Sequence, residues 1–288
     1  MDELLPRSAD ELAEALAAAG GRKRAVRLGG AFSKDRMAGP LAPADTVIST
    51  SAMNRILQYE PHDLTISVES GMRWADLTDA LAANMQVIPL DPPFFDTATV
   101  GGVVAANTSG PRRRGYGSAR DVVIGMKFAT LEGKIVQSGG MVVKNVAGLD
   151  MAKLMIGSFG TLAAIGIVNF KLAPAPPATR TFALRFSSLD DAIAARDHIL
   201  GGVLQPTAID LVNPAAGARI GVDGTLSDWP VHRAVGRGRH RRIPPTPEPD
   251  GREQRQSQPK TRRVHGGDQG LRMVDGFGFP GEPRQRPG

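Results

Sequence analysis

The 288-residue sequence has no cysteine, only two tryptophans and two tyrosines, and no apolar run approaching the roughly 18 residues of a membrane span. Without cysteine there can be no disulfide, thiolate metal site, iron–sulfur ligation or cysteinyl link to a cofactor, while the redox compartment stays open. Its first residues, MDELLPRSADELAEAL, are acidic and amphipathic rather than basic and then apolar, so a secretory signal is not expected there. Histidine is scarce as well. Before the C-terminal segment only His62 and His198 occur, and neither has a sequence partner that would make it a base. His62, between Pro61 and Asp63, reads as a turn residue, and His198, in a charged helical pattern, as solvated. No catalytic residue and no metal ligand is assigned. Also missing are the G-x-x-x-x-G-K-[ST] phosphate loop and the G-x-G-x-x-G dinucleotide fingerprint.

Acidic counter-charge is short in one place. The formal net charge is +6, yet from Val231 to Gly288 there are 13 Lys+Arg against 6 Asp+Glu, and before it 22 against 23. The body is thus nearly neutral and the tail carries the basicity. That tail has neither a period of two nor of 3.6 and is rich in Arg, Pro, Gly and Gln, a composition that should not pack. Its aromatics are confined to Phe277 and Phe279, few for a segment that stacks on RNA, so no nucleic-acid partner is expected. The composition changes abruptly after Asp228-Trp229-Pro230, as a shift of reading frame would produce.

In the body, the apolar pattern alternates between helical and extended periods with no internal repeat. Ser8 to Glu11 has the spacing of a capping box, opening a helix that ends at Gly20-Gly21. Strands are expected at Ala25–Leu28, Thr46–Ser49 and Leu64–Val68, and a helix over Arg73–Asn84. An extended segment begins at Val87-Ile88, and a hairpin joins Val122–Thr130 to Lys134–Val136 about Glu132-Gly133. A short helix over Asp150–Ile156 and a long strand over Leu162–Leu172 follow. The run Ala173-Pro174-Ala175-Pro176-Pro177 reads as a linker that continues neither element. Beyond it, strand, helix and strand at Thr181–Phe186, Leu189–Leu200 and Ala208–Val212 open a second domain too short for its own core.

Glycine is abundant in three places: Gly29-Gly30-Ala31-Phe32-Ser33-Lys34, the window Thr97 to Asp121, and Gly157-Ser158-Phe159-Gly160-Thr161. Each alone is an ordinary tight turn. Together they suit a backbone that bends sharply and approaches one long ligand, offering amide donors to phosphate or a flat polar ring. Lys34 and Arg120 add charge suited to a pyrophosphate. The triplet Arg112-Arg113-Arg114 reads as a solvated charge run, with a carboxylate substrate, a phosphate or an acidic partner as alternatives.

The run Thr99-Val100-Gly101-Gly102 with Asn107, Gly110, Tyr116-Gly117 and Arg120-Asp121, then Lys144 to Asp150 and Gly157 to Leu162, resembles the FAD-binding domain of the vanillyl-alcohol-oxidase/PCMH flavoprotein superfamily. Within it, the segment Tyr59 to Pro174 is most similar to the E-subunit family of bacterial glycolate oxidases, through PPFFDTATVGG, SGPRRRGYGSARD and VVKNVAGLDMAKLMIGSFGTL. The first loop departs from that family, with Ala31-Phe32 where a third glycine is usual. The resemblance implies an α+β fold: a PCMH-type FAD-binding domain of two α/β subdomains over residues 1–174 and an incomplete β–α–β cap over 175–229, while composition makes 230–288 a basic tail, disordered or frameshifted. It implies pyrophosphate contacts from Gly29, Gly30, Ser33 and Lys34, and flavin or ribityl contacts from Pro92, Thr99, Gly101, Gly102, Asn107, Gly110 and Gly117. Gly157, Gly160, Thr161 and Ile165 fall on the adenosine side.

With no histidine in the first loop and no cysteine, the FAD is expected to be noncovalent. The implied activity is that of the FAD-binding subunit of a glycolate oxidase, oxidising glycolate to glyoxylate and passing electrons to an acceptor other than a nicotinamide. The implied partners are a second flavin subunit and an iron–sulfur subunit, and the implied location is the cytoplasm or the inner-membrane periphery. The alternatives are a stand-alone FAD-dependent dehydrogenase for D-lactate or another D-2-hydroxy acid, and a noncatalytic or truncated FAD-binding subunit.

Overall fold

In the computed structural model, residues 2–37, 39–141, 149–179, 182–219, 231–233 and 272–273 are described. The chain divides into two compact units, Met1–Pro176 and Pro177–Gly288.

The first unit begins with a short strand, β1 (Asp2–Leu4), that no sequence pattern announces, and then α1 (Ala9–Gly21). Ser8 caps α1, its Oγ accepting from the Glu11 amide at 3.1 Å. The expected reciprocal half differs: the Glu11 carboxylate accepts from the Arg7 amide at 2.8 Å, one residue further out. Strands β2 (Val26–Gly29) and β3 (Thr46–Ser49) follow, and the parallel sheet has the order β1-β3-β2. Leu12, Ala13 and Leu16 of α1 pack with Ile48, Met53, Ala129 and Ala164 into one apolar cluster, so the apolar stripe of α1 fixes this sheet against the sheet that follows.

That second sheet is antiparallel and five-stranded. It comprises β4 (Ile56–Glu60), β5 (Thr65–Glu69), β7 (Val123–Ala129), β8 (Ile135–Gly139) and β9 (Ala164–Lys171), in the order β4-β5-β9-β7-β8. Between β5 and β7 run α2 (Trp74–Ala82), the two-residue strand β6 (Gln86–Val87), which is outside this sheet, and three short helices, α3 (Val100–Ala105), α4 (Arg113–Tyr116) and α5 (Ala119–Val122), and α6 (Met151–Met155) precedes β9. The β7–β8 hairpin turns at Gly133, whose φ of +78° is the left-handed conformation that glycine admits. All five residues of β5 are buried, as expected for a strand covered on both faces. Trp74, Leu77 and Leu81 of α2 and Val100, Val103 and Val104 of α3 lie in one core with Phe128, Val168 and Phe170. The Trp74 and Phe170 rings meet edge to face at 6.1 Å. The proline-rich linker does not begin as free chain: Ala173–Pro174 (β10) pairs antiparallel with Gln86–Val87. A sheet edge tolerates proline there because only one side needs amide donors.

The second unit contains β11 (Phe182–Arg185), α7 (Leu189–Gly201), β12 (Asp210–Val212) and α8 (Pro214–Arg219). Ser188 caps α7, accepting from the Asp191 amide at 3.1 Å. Its sheet has the order β12-β13-β11-β14, where β13 (Val231–Arg233) and β14 (Arg272–Met273) come from the C-terminal segment. The rest of that segment, on which the expectation of disorder or a frameshift falls, lies outside the described residues. Among the described residues no helix is long and apolar enough to cross a membrane.

Candidate functional site

The three glycine-rich segments meet around α3. The Thr97–Asp121 window, read from the sequence as one close-approach loop, contains three short helices, and the first of them is the hub. Thr99 caps α3, its Oγ1 accepting from the Gly102 amide at 3.4 Å. The amides of Val100 and Gly101 donate to the carbonyls of Met72 and Ser70, at 2.9 and 2.7 Å. The close approach of Gly101 is therefore to its own chain: a Cβ there would lie 2.8 Å from the Ser70 Cβ. These amides are already engaged, so this part of the window presents a slim backbone to a ligand rather than free N–H donors.

The first loop leaves β2 and reaches the same place. A Cβ on Gly30 would overlap Thr99 Oγ1, so only glycine lets this loop touch the α3 cap. Ser49 Oγ donates to the Gly30 carbonyl at 2.9 Å and holds the turn from below. Phe32 sits at φ +51°, in the left-handed region. Its ring lies 4.9 Å from the Arg27 guanidinium, which is ion-paired with Asp35. Two residues on, Lys34 is 9% exposed and its Nζ has no hydrogen-bond partner among the described residues. That ammonium stands 3.9 Å from where a Gly102 Cβ would be. Burial pulls its pKa down to about 8.

The third loop closes on the other end of α3. The Gly157 amide donates to the Val104 carbonyl at 3.2 Å and the Phe159 amide to that of Ala105 at 2.9 Å. Gly160 lies against Leu28 of β2. Thr161 is exposed, its hydroxyl donating to the Ser158 carbonyl at 2.7 Å. Ile165 is not part of this gathering; it is a core residue of β9, 5% exposed.

A fourth segment completes the surroundings. Asp91 precedes the buried Pro92 and faces Gly110. The reading of Arg112-Arg113-Arg114 as solvated charge fails at its first member: Arg112 forms a two-pronged ion pair with Asp91, both side chains little exposed at 11% and 13%. Arg113 and Arg114 are exposed. Gly117 abuts the Asp121 carboxylate, which accepts from the Ser118 amide at 2.7 Å in a capping box that opens α5. That hydrogen bond holds the Asp121 carboxyl below its ordinary pKa. Arg120 is exposed, and its Nη1 donates to the Lys153 carbonyl of α6 at 2.8 Å.

Near these loops Asn107, an expected contact, is joined by two residues that the expected contacts leave out, Ser70 and Ser109. The Ser70 and Ser109 hydroxyls and the Asn107 Oδ1 are buried with no hydrogen-bond partner among the described residues. The available signal for Ser70 was a Ser-Gly pair closing a buried strand. The stretch Lys144 to Gly148, part of the resemblance, lies outside the described residues. Among the described residues no group of three or more His, Asp or Glu is placed to hold a metal ion. An unpartnered buried ammonium, a slim backbone and unspent hydroxyl and amide oxygens fit a ligand with a diphosphate and a polar ring.

Residues 3–139 match the family model described as FAD binding domain. Over 155 residues the chain is 38% identical to the glycolate oxidase subunit GlcE of Escherichia coli strain K12, a match covering 54% of this chain and 43% of that protein. Over 166 residues it is 34% identical to D-lactate dehydrogenase of Anaerostipes hadrus, covering 58% of this chain and 35% of that protein. Alkyldihydroxyacetonephosphate synthase superposes with a TM-score of 0.66 over 80% of this chain and 48% of that one, at 20% identity, a likeness of fold alone. The chain spans less than half the length of these relatives.

Proposed function

We propose that this chain, which carries an FAD binding domain in residues 3–139, holds FAD noncovalently at the junction of its three glycine loops and serves a glycolate oxidase complex as an FAD-binding subunit. The observation that carries the cofactor assignment is Lys34, a buried ammonium left unpartnered beside Gly102 and the Thr99 cap. A diphosphate there would supply the missing counter-charge. Gly29, Gly30, Ser33 and Lys34 would hold the diphosphate. Pro92, Thr99, Gly101, Gly102, Asn107, Gly110 and Gly117 would flank the flavin and ribityl chain, and Gly157, Gly160 and Thr161 the adenosine side, with the core residue Ile165 taking no part. FAD, when bound, supplies a two-electron acceptor for the hydride of an alcohol carbon. The chain's own part is to grip the cofactor at both ends and shut water from the diphosphate. With no histidine in the first loop and no cysteine, it offers no covalent tether there.

The glycolate assignment draws on the similarity to the GlcE subunit. In it, glycolate becomes glyoxylate and electrons pass to a non-nicotinamide acceptor. The partners are a second flavin subunit and an iron–sulfur subunit, with the assembly in the cytoplasm or at the inner-membrane periphery. A stand-alone D-2-hydroxy-acid dehydrogenase is the second reading, favoured by the similarity to D-lactate dehydrogenase. One spectroscopic experiment separates them. The purified chain should be yellow and release all its flavin on acid precipitation; a colourless protein that takes up no FAD defeats the cofactor assignment. Anaerobic glycolate should bleach the flavin only with the partner subunits present. Bleaching by D-lactate in the isolated chain would select the second reading.

A further inference from the structure

Asp91 and Arg112 are 21 positions apart, yet their side chains form the least exposed ion pair in the described structure. Arg112 Nε donates to Asp91 Oδ2 and Nη2 to Oδ1, both at 2.8 Å, and Nη2 also donates to the Leu90 carbonyl at 3.3 Å. The backbones are joined too, the Asp91 amide donating to the Ser109 carbonyl at 2.9 Å. Gly110, at φ +70°, leaves no room for a side chain against Asp91. Two segments are thus locked at side chain and main chain together. A buried ion pair is a poor device for raising stability, because desolvation offsets most of its attraction. What the planar guanidinium fork adds is geometry, since two parallel hydrogen bonds fix both angle and distance.

We propose that Asp91 and Arg112 are positioning residues, a clamp that sets the flavin-ring end of the cofactor cradle; the role rests on the FAD reading given above. Pro92 follows Asp91 directly, Gly110 follows Ser109, and Asn107 lies two residues before it, so the clamp seats three of the residues assigned to the ring and ribityl chain as one surface. It also holds in place Asn107 Oδ1 and Ser109 Oγ, which are buried without a hydrogen-bond partner among the described residues. The hydrogen bonds described for the Arg112 side chain go to Leu90 and Asp91 rather than to the first or third loop, which makes the clamp selective for one end of the ligand. Arg113 and Arg114, both exposed, take no part.

The test uses the full chain and two probes, FAD and ADP, the second carrying only the diphosphate and adenosine. Arg112→Met should raise the dissociation constant for FAD roughly 10- to 100-fold, as expected when a supporting contact lets a ligand-facing surface drift. The dissociation constant for ADP should stay within about threefold. Arg112→Lys keeps a positive charge against Asp91, so it guards against loss of fold, and should show the same FAD-selective weakening to a smaller degree. Titrations run well below the melting temperature, with circular dichroism confirming the fold. Unchanged FAD affinity in both variants overturns the clamp, and so does a parallel loss of FAD and ADP by a folded variant. An unmodified chain that binds neither probe overturns instead the cofactor reading on which the clamp rests.

Discussion

Lys34 is buried away from the solvent that would favour its charge, and its titration gives the site a pH dependence of definite sign. Its pKa is about 8 in the folded chain against about 10.4 for an exposed lysine. Near neutral pH the flavin-free fold therefore bears the cost of a desolvated cation, and that cost fades as pH rises from about 8 through the ordinary lysine range. Lys34→Met should raise the melting temperature of the flavin-free chain near pH 7, with the gain shrinking toward pH 10, as differential scanning fluorimetry would record. The same variant should bind FAD about 10- to 100-fold more weakly near neutral pH, having lost a charge-assisted contact to phosphate. In the unmodified chain FAD affinity should fall as pH passes about 8, and in Lys34→Met the flavin-fluorescence titration should be flat there.

Among the elements, α5 carries a comparable sensitivity at the acid end. The Asp121 carboxyl lies below its ordinary pKa because it accepts the Ser118 amide, so its stabilising effect is complete above the usual carboxylate range near 4 and fades as pH falls through it. Asp121→Asn should lower the melting temperature at neutral pH, and the difference should vanish in acid. The capping box of α5 goes unread inside a window that reads as a loop, whereas α1, α2, β7 and β9 could be read in the sequence, because their apolar periods match the faces they bury. Other elements were hidden for identifiable reasons. Paired glycines argue against a helix, yet α3 forms because Thr99 caps it and Ser70 and Met72 accept its first amides, a case of tertiary contact overriding propensity. Strand β4 is an edge strand whose apolar residues Ile56 and Leu57 stay exposed, so no alternation marks it. The three glycine loops were legible as a group, whereas the burial of Arg112 was not, since its partner Asp91 is distant in sequence.

At the scale of the whole molecule, every segment that gathers around α3 lies within Met1–Pro176. A chain ending at Pro176 should accordingly fold and bind FAD within about threefold of the full chain's affinity, which equilibrium titration of the two proteins would establish. A fragment stopped short of β9 faces a different fate. That strand is the last of the antiparallel sheet to be synthesised, yet it lies between β5 and β7, pairing Thr65 with Lys171 and Ala129 with Ala164. During translation the earlier strands can form only two separate ribbons, β4–β5 and β7–β8, each with an inner edge of unpaired amides and carbonyls. The ribbons cannot join until β9 has left the ribosome, so assembly waits on contacts about a hundred residues apart in sequence. For that interval the nascent chain presents two open strand edges, the state in which chaperone capture and aggregation compete with completion.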